Sequence, residues 1–155
     1  MTDWLDAQGQ AWKNTVAFVA IDMCTAFKAA VRTALPHAVL VVDHFHLAQL
    51  ANQALTEVRR RVTVQVRGRR GRKGNREWEP RNRLTRSAAR MHGKHLDPMV
   101  IDLMRPGRIG REILAAWEAK EDLLDLLALA RARPDRTLVS HRLTRFYTIC
   151  RLRPG

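Results

Sequence analysis

The chain has 155 residues, 46% of them hydrophobic, which is enough for one modest domain with its own core. Its 28 lysines and arginines outnumber 15 aspartates and glutamates, and the formal net charge of +13 points to polyanionic partners. No apolar run approaches the roughly 20 residues that cross a bilayer, and the opening MTDWLDAQ is acidic where a signal peptide is basic, so the sequence predicts a soluble, cytoplasmic protein without a membrane partner.

Residues 1–13 place Trp4, Leu5, Ala7, Ala11 and Trp12 in a mildly amphipathic segment, read as the end of a helix that packs before the first strand. Two apolar runs follow, Val16–Ile21 and Ala38–Val42, each ending on an aspartate, Asp22 and Asp43. They are short, rich in β-branched residues and without polar alternation, as in parallel strands buried on both faces. Between them Ala26, Phe27, Ala30, Val31, Ala34 and Leu35 repeat at three- and four-residue spacing. That spacing predicts a helix over 24–35, stopped by Pro36. The unit reads as βαβ, which brings Asp22 and Asp43 to the carboxyl ends of adjacent strands, the edge of an open α/β sheet where ligands bind.

A helix is predicted over 44–62, with Leu47, Leu50, Ala51, Ala54, Leu55, Val58 and Val62 on one face. His44 and His46, two apart, do not share a helical face. That spacing weighs against the metal reading the pair invites; Phe45 is assigned to core packing, and His46 to a structural hydrogen bond near the strand end. From 59 to 90, thirteen cations face only Glu77 and Glu79, a surplus of +11 out of the chain's +13. The middle of this stretch, RGRRGRKGNRE, lacks apolar periodicity and reads as a flexible basic loop. Arg59, Arg60, Arg61, Arg67, Arg69, Arg70, Arg72, Lys73 and Arg76 are its candidate DNA contacts, since arginine offers a planar fork of donors to phosphate. The plain alternative is a solvated run of charge.

Between 91 and 110 the turn-formers Gly93, Pro98, Pro106, Gly107 and Gly110 interrupt a short apolar piece, Met99–Met104. Helices are predicted over 111–132, with Ile113, Leu114, Trp117, Leu124, Leu127 and Ala128 as its core stripe, and over 136–150, with Val139, Leu143, Phe146, Tyr147 and Cys150 aligned. Glu118, Glu121, Asp122 and Asp125 read as a solvated face with helical ion pairs. Cys24 and Cys150 lack metal-ligand spacing and are expected to be reduced, buried thiols.

Residues 19–61 resemble the central catalytic region of a family of bacterial insertion-sequence transposases, ISL-three-like and of the DDE type with a ribonuclease-H-like core. The resemblance rests on Asp22-Met23, Leu35-Pro36-His37-Ala38, Asp43-His44-Phe45-His46, Asn52-Gln53-Ala54-Leu55 and Arg59-Arg60-Arg61. It extends through AAWEAKEDLLDLLALA and SHRLTRFYTIC to about Cys150.

The resemblance implies an α/β, mostly helical fold. Residues 1–62 would form a partial ribonuclease-H-like core with two adjacent parallel strands, 63–110 a basic, irregular insertion, 111–150 a helical region and 151–155 a truncated tail. It also implies a metal-dependent catalytic trio in which Asp22 is the second acid and a metal ligand, with Asp43 a weaker candidate for that place or a partner that supports the metal-binding acid from behind. Mg²⁺ is the cofactor in the intact family, transposon-end DNA the partner, and self-association or pairing with a full-length transposase is expected. The first Asp and the Glu of the trio have no match here. The chain is accordingly expected to be a fragment, inactive by itself and unable to bind Mg²⁺ tightly. A small basic DNA-binding protein and a helical interaction domain with the aspartates as strand-end caps are the other two readings.

Overall fold

The computed structural model describes residues 2–152 except Met23 and Pro106. Met23 of the Asp-Met pair, the turn assigned to Pro106 and the end of the tail thus lie outside the described residues. The chain divides into two compact units, 1–47 and 48–155.

The first unit begins with two short helices, α1 (Thr2–Asp6) and α2 (Gln10–Thr15), instead of one continuous segment. Gly9, in extended conformation, caps α2 and separates them. Strand β1 (Phe18–Ile21), helix α3 (Thr25–Ala34) and strand β2 (Val39–Val42) then form the expected crossover. The strands pair in parallel, with Phe18 opposite Val39 and Ile21 opposite Val42.

Alternation along the strands sends Val19, Ile21 and Leu40 to one face, where they pack on buried Leu5 of α1 and on Val31 and Leu35 of the α3 segment. The other face carries Phe18, Ala20, Val39 and Val41 and is bare, with Phe18 70% and Val39 54% exposed. Burial on both faces, expected from the apolar runs, is therefore corrected. Among the described residues α1 and α3 form a single helical layer, which covers only one side of the sheet.

Helix α4 (His44–Arg67) continues more than a turn beyond its predicted end. The second unit starts within α4 at Ala48 and adds α5 (Arg81–Leu84), α6 (Gly93–Met104), α7 (Arg108–Ala128) and α8 (Arg136–Leu152). Its core joins Leu55 and Val62 of α4, Leu84 of α5, Met99 and Leu103 of α6, and Ile109 and Ile113 of α7.

The insertion is less irregular than the sequence predicts, because α6 begins at Gly93 and holds Pro98 within it. Gly110, read as a turn-former, lies inside α7. A Cβ there would sit 1.5 Å from the Leu103 carbonyl oxygen, so the missing side chain lets α6 and α7 approach closely. The sharp connection itself uses Gly107, whose φ of 64° suits glycine.

The predicted stripe of the last helix is only partly covered. On α8, Val139 and Phe146 are half-buried while Leu143, Tyr147 and Cys150 are exposed. Cys24 is half-buried, so neither free thiol is a core residue.

Candidate functional site

Each strand-end aspartate closes a local turn. Asp22 Oδ1 accepts the Cys24 N–H at 3.0 Å, and Asp43 Oδ1 accepts the Phe45 N–H at 2.9 Å. The Asp43 N–H donates to the Ile21 carbonyl at 3.1 Å, one step beyond the Ile21–Val42 pair, so the parallel register carries both acids to the same end of the sheet. Both are half-buried. Asp43 also faces His44 Nδ1 at 3.6 Å and His46 Nε2 at 4.0 Å. Phe45, expected in the core, is 65% exposed. It lies in the first turn of α4 with its N–H tied to Asp43, and its ring rests edge-on to that of His46.

The aspartates supply hard oxygen donors of the kind Mg²⁺ prefers. In each, Oδ1 is held by a backbone N–H, and among the described residues no hydrogen bond engages Oδ2. Donor type therefore fits a divalent cation. Donor number does not fill a two-ion centre: the other acids of this unit, Asp3 and Asp6, are exposed on α1, and the described residues contain no cluster of three or more His, Cys, Asp or Glu suited to a metal.

The basic region is more ordered than a flexible loop. Glu77 is fully buried and receives Arg67 through Nε at 2.5 Å and Nη2 at 3.1 Å. The Asn75 side chain accepts the Arg72 N–H, and the Glu79 side chain accepts the Gly74 N–H, at 3.0 and 2.9 Å. With so many donors supplied by its own backbone, the segment 68–80 folds on its few acceptors. Arg67 is thus a structural ion-pair partner, and Arg69 donates to the Arg70 carbonyl at 3.2 Å. Arg72, Lys73 and Arg76 are exposed.

Arg59, Arg60, Arg61 and Arg70 line a cleft of about 770 Å³ together with Trp78 and Arg81. The Arg81 guanidinium carbon stands 3.3 Å from the Trp78 ring centroid, and its Nη1 donates to the Trp78 carbonyl at 3.3 Å. The Arg59 guanidinium is held below its ordinary value by burial and then by the neighbouring charges of Arg60 and Arg81. Trp78 escaped the sequence reading and Arg81 entered it only as one of the thirteen cations of the basic run, although a tryptophan three residues before an arginine inside that run was the available signal.

On α7 the acidic face is not simply solvated. Glu121 pairs with buried Lys120 and accepts the Ala88 N–H at 2.9 Å, and Asp122 faces Arg145 of α8 at 3.4 Å. These acids therefore pin the helical unit. Among the described residues no helix is long and apolar enough to cross a membrane.

Compared with known proteins, residues 1–152 match a family model described as transposase, the DDE type of ISL-three insertion sequences. No curated protein and no solved structure matches.

Proposed function

The chain belongs to the ISL-three-like DDE transposase family, and from that premise we propose that it takes part in DNA transposition by contributing Asp22, with Asp43 beside it, to a metal-dependent strand-transfer site. The observation that carries this reading is the shared sheet end: two carboxylates on adjacent parallel strands, each with one oxygen fixed by a backbone N–H. Fixing Oδ1 orients the side chain before any ligand arrives and leaves Oδ2 as the donor. When bound, divalent cations in such chemistry activate the attacking oxygen and stabilise the leaving oxygen of the scissile phosphate. His44 and His46 flank Asp43, their ring nitrogens 3.6 and 4.0 Å from its carboxylate oxygens.

Alone, the chain is proposed to lack strand-cleaving activity. A pair of ions about 4 Å apart calls for carboxylates from several elements, and Asp22 and Asp43 provide two. Manganese titration followed by electron paramagnetic resonance tests the assignment. Weak binding that disappears in Asp22→Asn and in Asp43→Asn supports it, whereas binding indifferent to both substitutions sinks it. A nicking assay on DNA with Mg²⁺ or Mn²⁺ is expected to show no cleavage. Metal-dependent cleavage abolished by Asp22→Asn would overturn the inactivity.

The cleft favours a second reading, a chain that binds DNA through its basic region without cutting it. Five arginines line that cleft, with no carboxylate among its lining residues. Binding that survives Asp22→Asn, changed by less than about tenfold, fits it, because Asp22 is not among the residues lining the cleft and the loss of one such carboxylate is worth at most about 1.4 kcal/mol.

A further inference from the structure

We propose that the cleft between the second half of α4 and the segment 70–81 is a binding site for single-stranded DNA, with Arg59, Arg60 and Arg70 on the phosphates and the Arg81 guanidinium as a stacking surface for one base. This rests on the DNA-binding reading above and goes beyond it in naming the form of DNA and the groups that distinguish it.

Three observations converge. The cleft gathers guanidinium groups without a carboxylate in its lining, while the nearby acid, Glu77, is already engaged by Arg67. Burial and mutual repulsion hold Arg59 below its ordinary value, a cost that a bound anion relieves. A cleft of about 770 Å³ is of the size that takes small ligands, so it has room for a nucleotide or two of a single strand and not for a duplex.

The second observation is the Arg81 platform. Its guanidinium carbon lies 3.3 Å over the Trp78 ring centroid and its Nη1 donates to the Trp78 carbonyl, and Arg81 lines the cleft, so the group is restrained before a ligand comes. Planar guanidiniums and aromatic rings are surfaces on which unpaired bases stack. A base inside a duplex has no free face to offer. The third observation is the apolar component of the wall, supplied by Val64 and the Trp78 side chain, which suits a sugar and a base edge more than a phosphate alone.

The test is fluorescence anisotropy with a labelled oligothymidylate and, separately, a duplex of equal length at matched salt. The parent should bind the oligothymidylate at least as tightly as the duplex. Arg81→Lys keeps the charge and removes the plane; it should weaken oligothymidylate binding by on the order of tenfold and duplex binding by less than about twofold. Arg70→Ala, at an exposed side chain, should lower the single-strand salt slope by about 0.7. Circular dichroism confirms that each variant is folded, and if Arg81→Lys is not, the Arg70→Ala slope decides. Duplex preference in the parent, equal losses on both DNAs, or an unchanged slope overturns the proposal and leaves the DNA-binding reading standing. Failure to bind either DNA removes both.

Discussion

The fully buried carboxylate of Glu77 is clamped by the forked guanidinium of Arg67, the last residue of α4, and this pair ties the helix to the basic segment that follows. They lie ten positions apart in the chain. Without it the loop's surplus of cations would repel the helix end. The two partners are not equivalent, since Glu77 is enclosed and Arg67 reaches water.

Removing the partner of an enclosed charge leaves that charge uncompensated, and such losses are about 3–5 kcal/mol. Because Arg67 is partly exposed, Arg67→Ala should fall near the lower end, about 3 kcal/mol. Glu77→Gln keeps the shape and part of the hydrogen bonding and should cost about 1–2 kcal/mol. Urea unfolding with an unchanged slope measures both. Equal costs, or a larger cost for Glu77→Gln, would mean that the pair is not the anchor.

Lys120 makes a second buried contact of this kind. Its ammonium donates to the Leu84 and Arg86 carbonyls at 2.9 and 2.8 Å and pairs with Glu121, so α7 holds the segment after α5. Burial pushes its pKa below 10.5, more than the Glu121 hydrogen bond and charge raise it. Between the lowered folded value and 10.5 the unfolded chain therefore binds more protons, and this group's contribution to stability rises with pH. Relative to Lys120→Met, the parent should gain stability as pH rises toward 10.5 in urea titrations. A gap that narrows instead contradicts the direction.

The crossover was legible because β-branched runs, an amphipathic helix between them and an aspartate after each run all pointed to one arrangement. The bare face of the sheet was not, since an apolar run is the same whether a second layer covers it or not. The end of α4 was hidden because Val62, Thr63, Val64, Gln65 and Val66 form a mostly β-branched run flanked by Arg59–Arg61 and Arg67, and such a run has no helical apolar period and a weak helix propensity. Glu77 and Lys120 went unseen for a related reason: a lone charge has no sequence pattern that reveals burial, and only the partners brought to it in space do so. The position of both aspartates at one sheet end was legible from the runs they close, whereas the cleft depended on Arg81 lying over Trp78, a contact between a tryptophan without a motif and one arginine among thirteen cations.

The uncovered sheet face, Phe18 and Ala20 opposite Val39 and Val41, should drive association. Both strands are edges as well, each offering unpaired backbone groups. We expect apparent mass to rise with concentration in sedimentation velocity runs, and Val39→Thr with Val41→Lys to suppress the rise while circular dichroism is retained. A concentration-independent monomer in the parent would count against it.

Asp43 stands immediately before α4 and accepts the N–H of its second residue, so it is an N-cap as well as a candidate ligand. Asp43→Ala should destabilise by about 1 kcal/mol and Asp43→Asn by only a few tenths. If both substitutions abolish Mn²⁺ binding while only Asp43→Ala lowers the melting temperature, capping and ligation are separate roles. Equal destabilisation by both would mean that the negative charge, and not the hydrogen bond, steadies the helix end.

The last expectation concerns the charge of segment 68–80. Arg69, Arg70, Arg72 and Lys73 are exposed, and the backbone turns that hold them are fixed by Asn75 and Glu79, so their side chains can be removed with the turns intact. If they meet phosphates, each neutralised phosphate releases condensed counterions, and the slope of log affinity against log salt is about −0.9 per contact on duplex DNA. Replacing all four by alanine should therefore reduce the slope by roughly three to four units, with little dependence on base sequence because backbone contacts carry no base information. Arg59 and Arg81 remain in that variant, so residual binding with a shallower slope is expected, not its loss. A slope equal to the parent's would place the phosphate contacts elsewhere, with the cleft arginines next to be replaced.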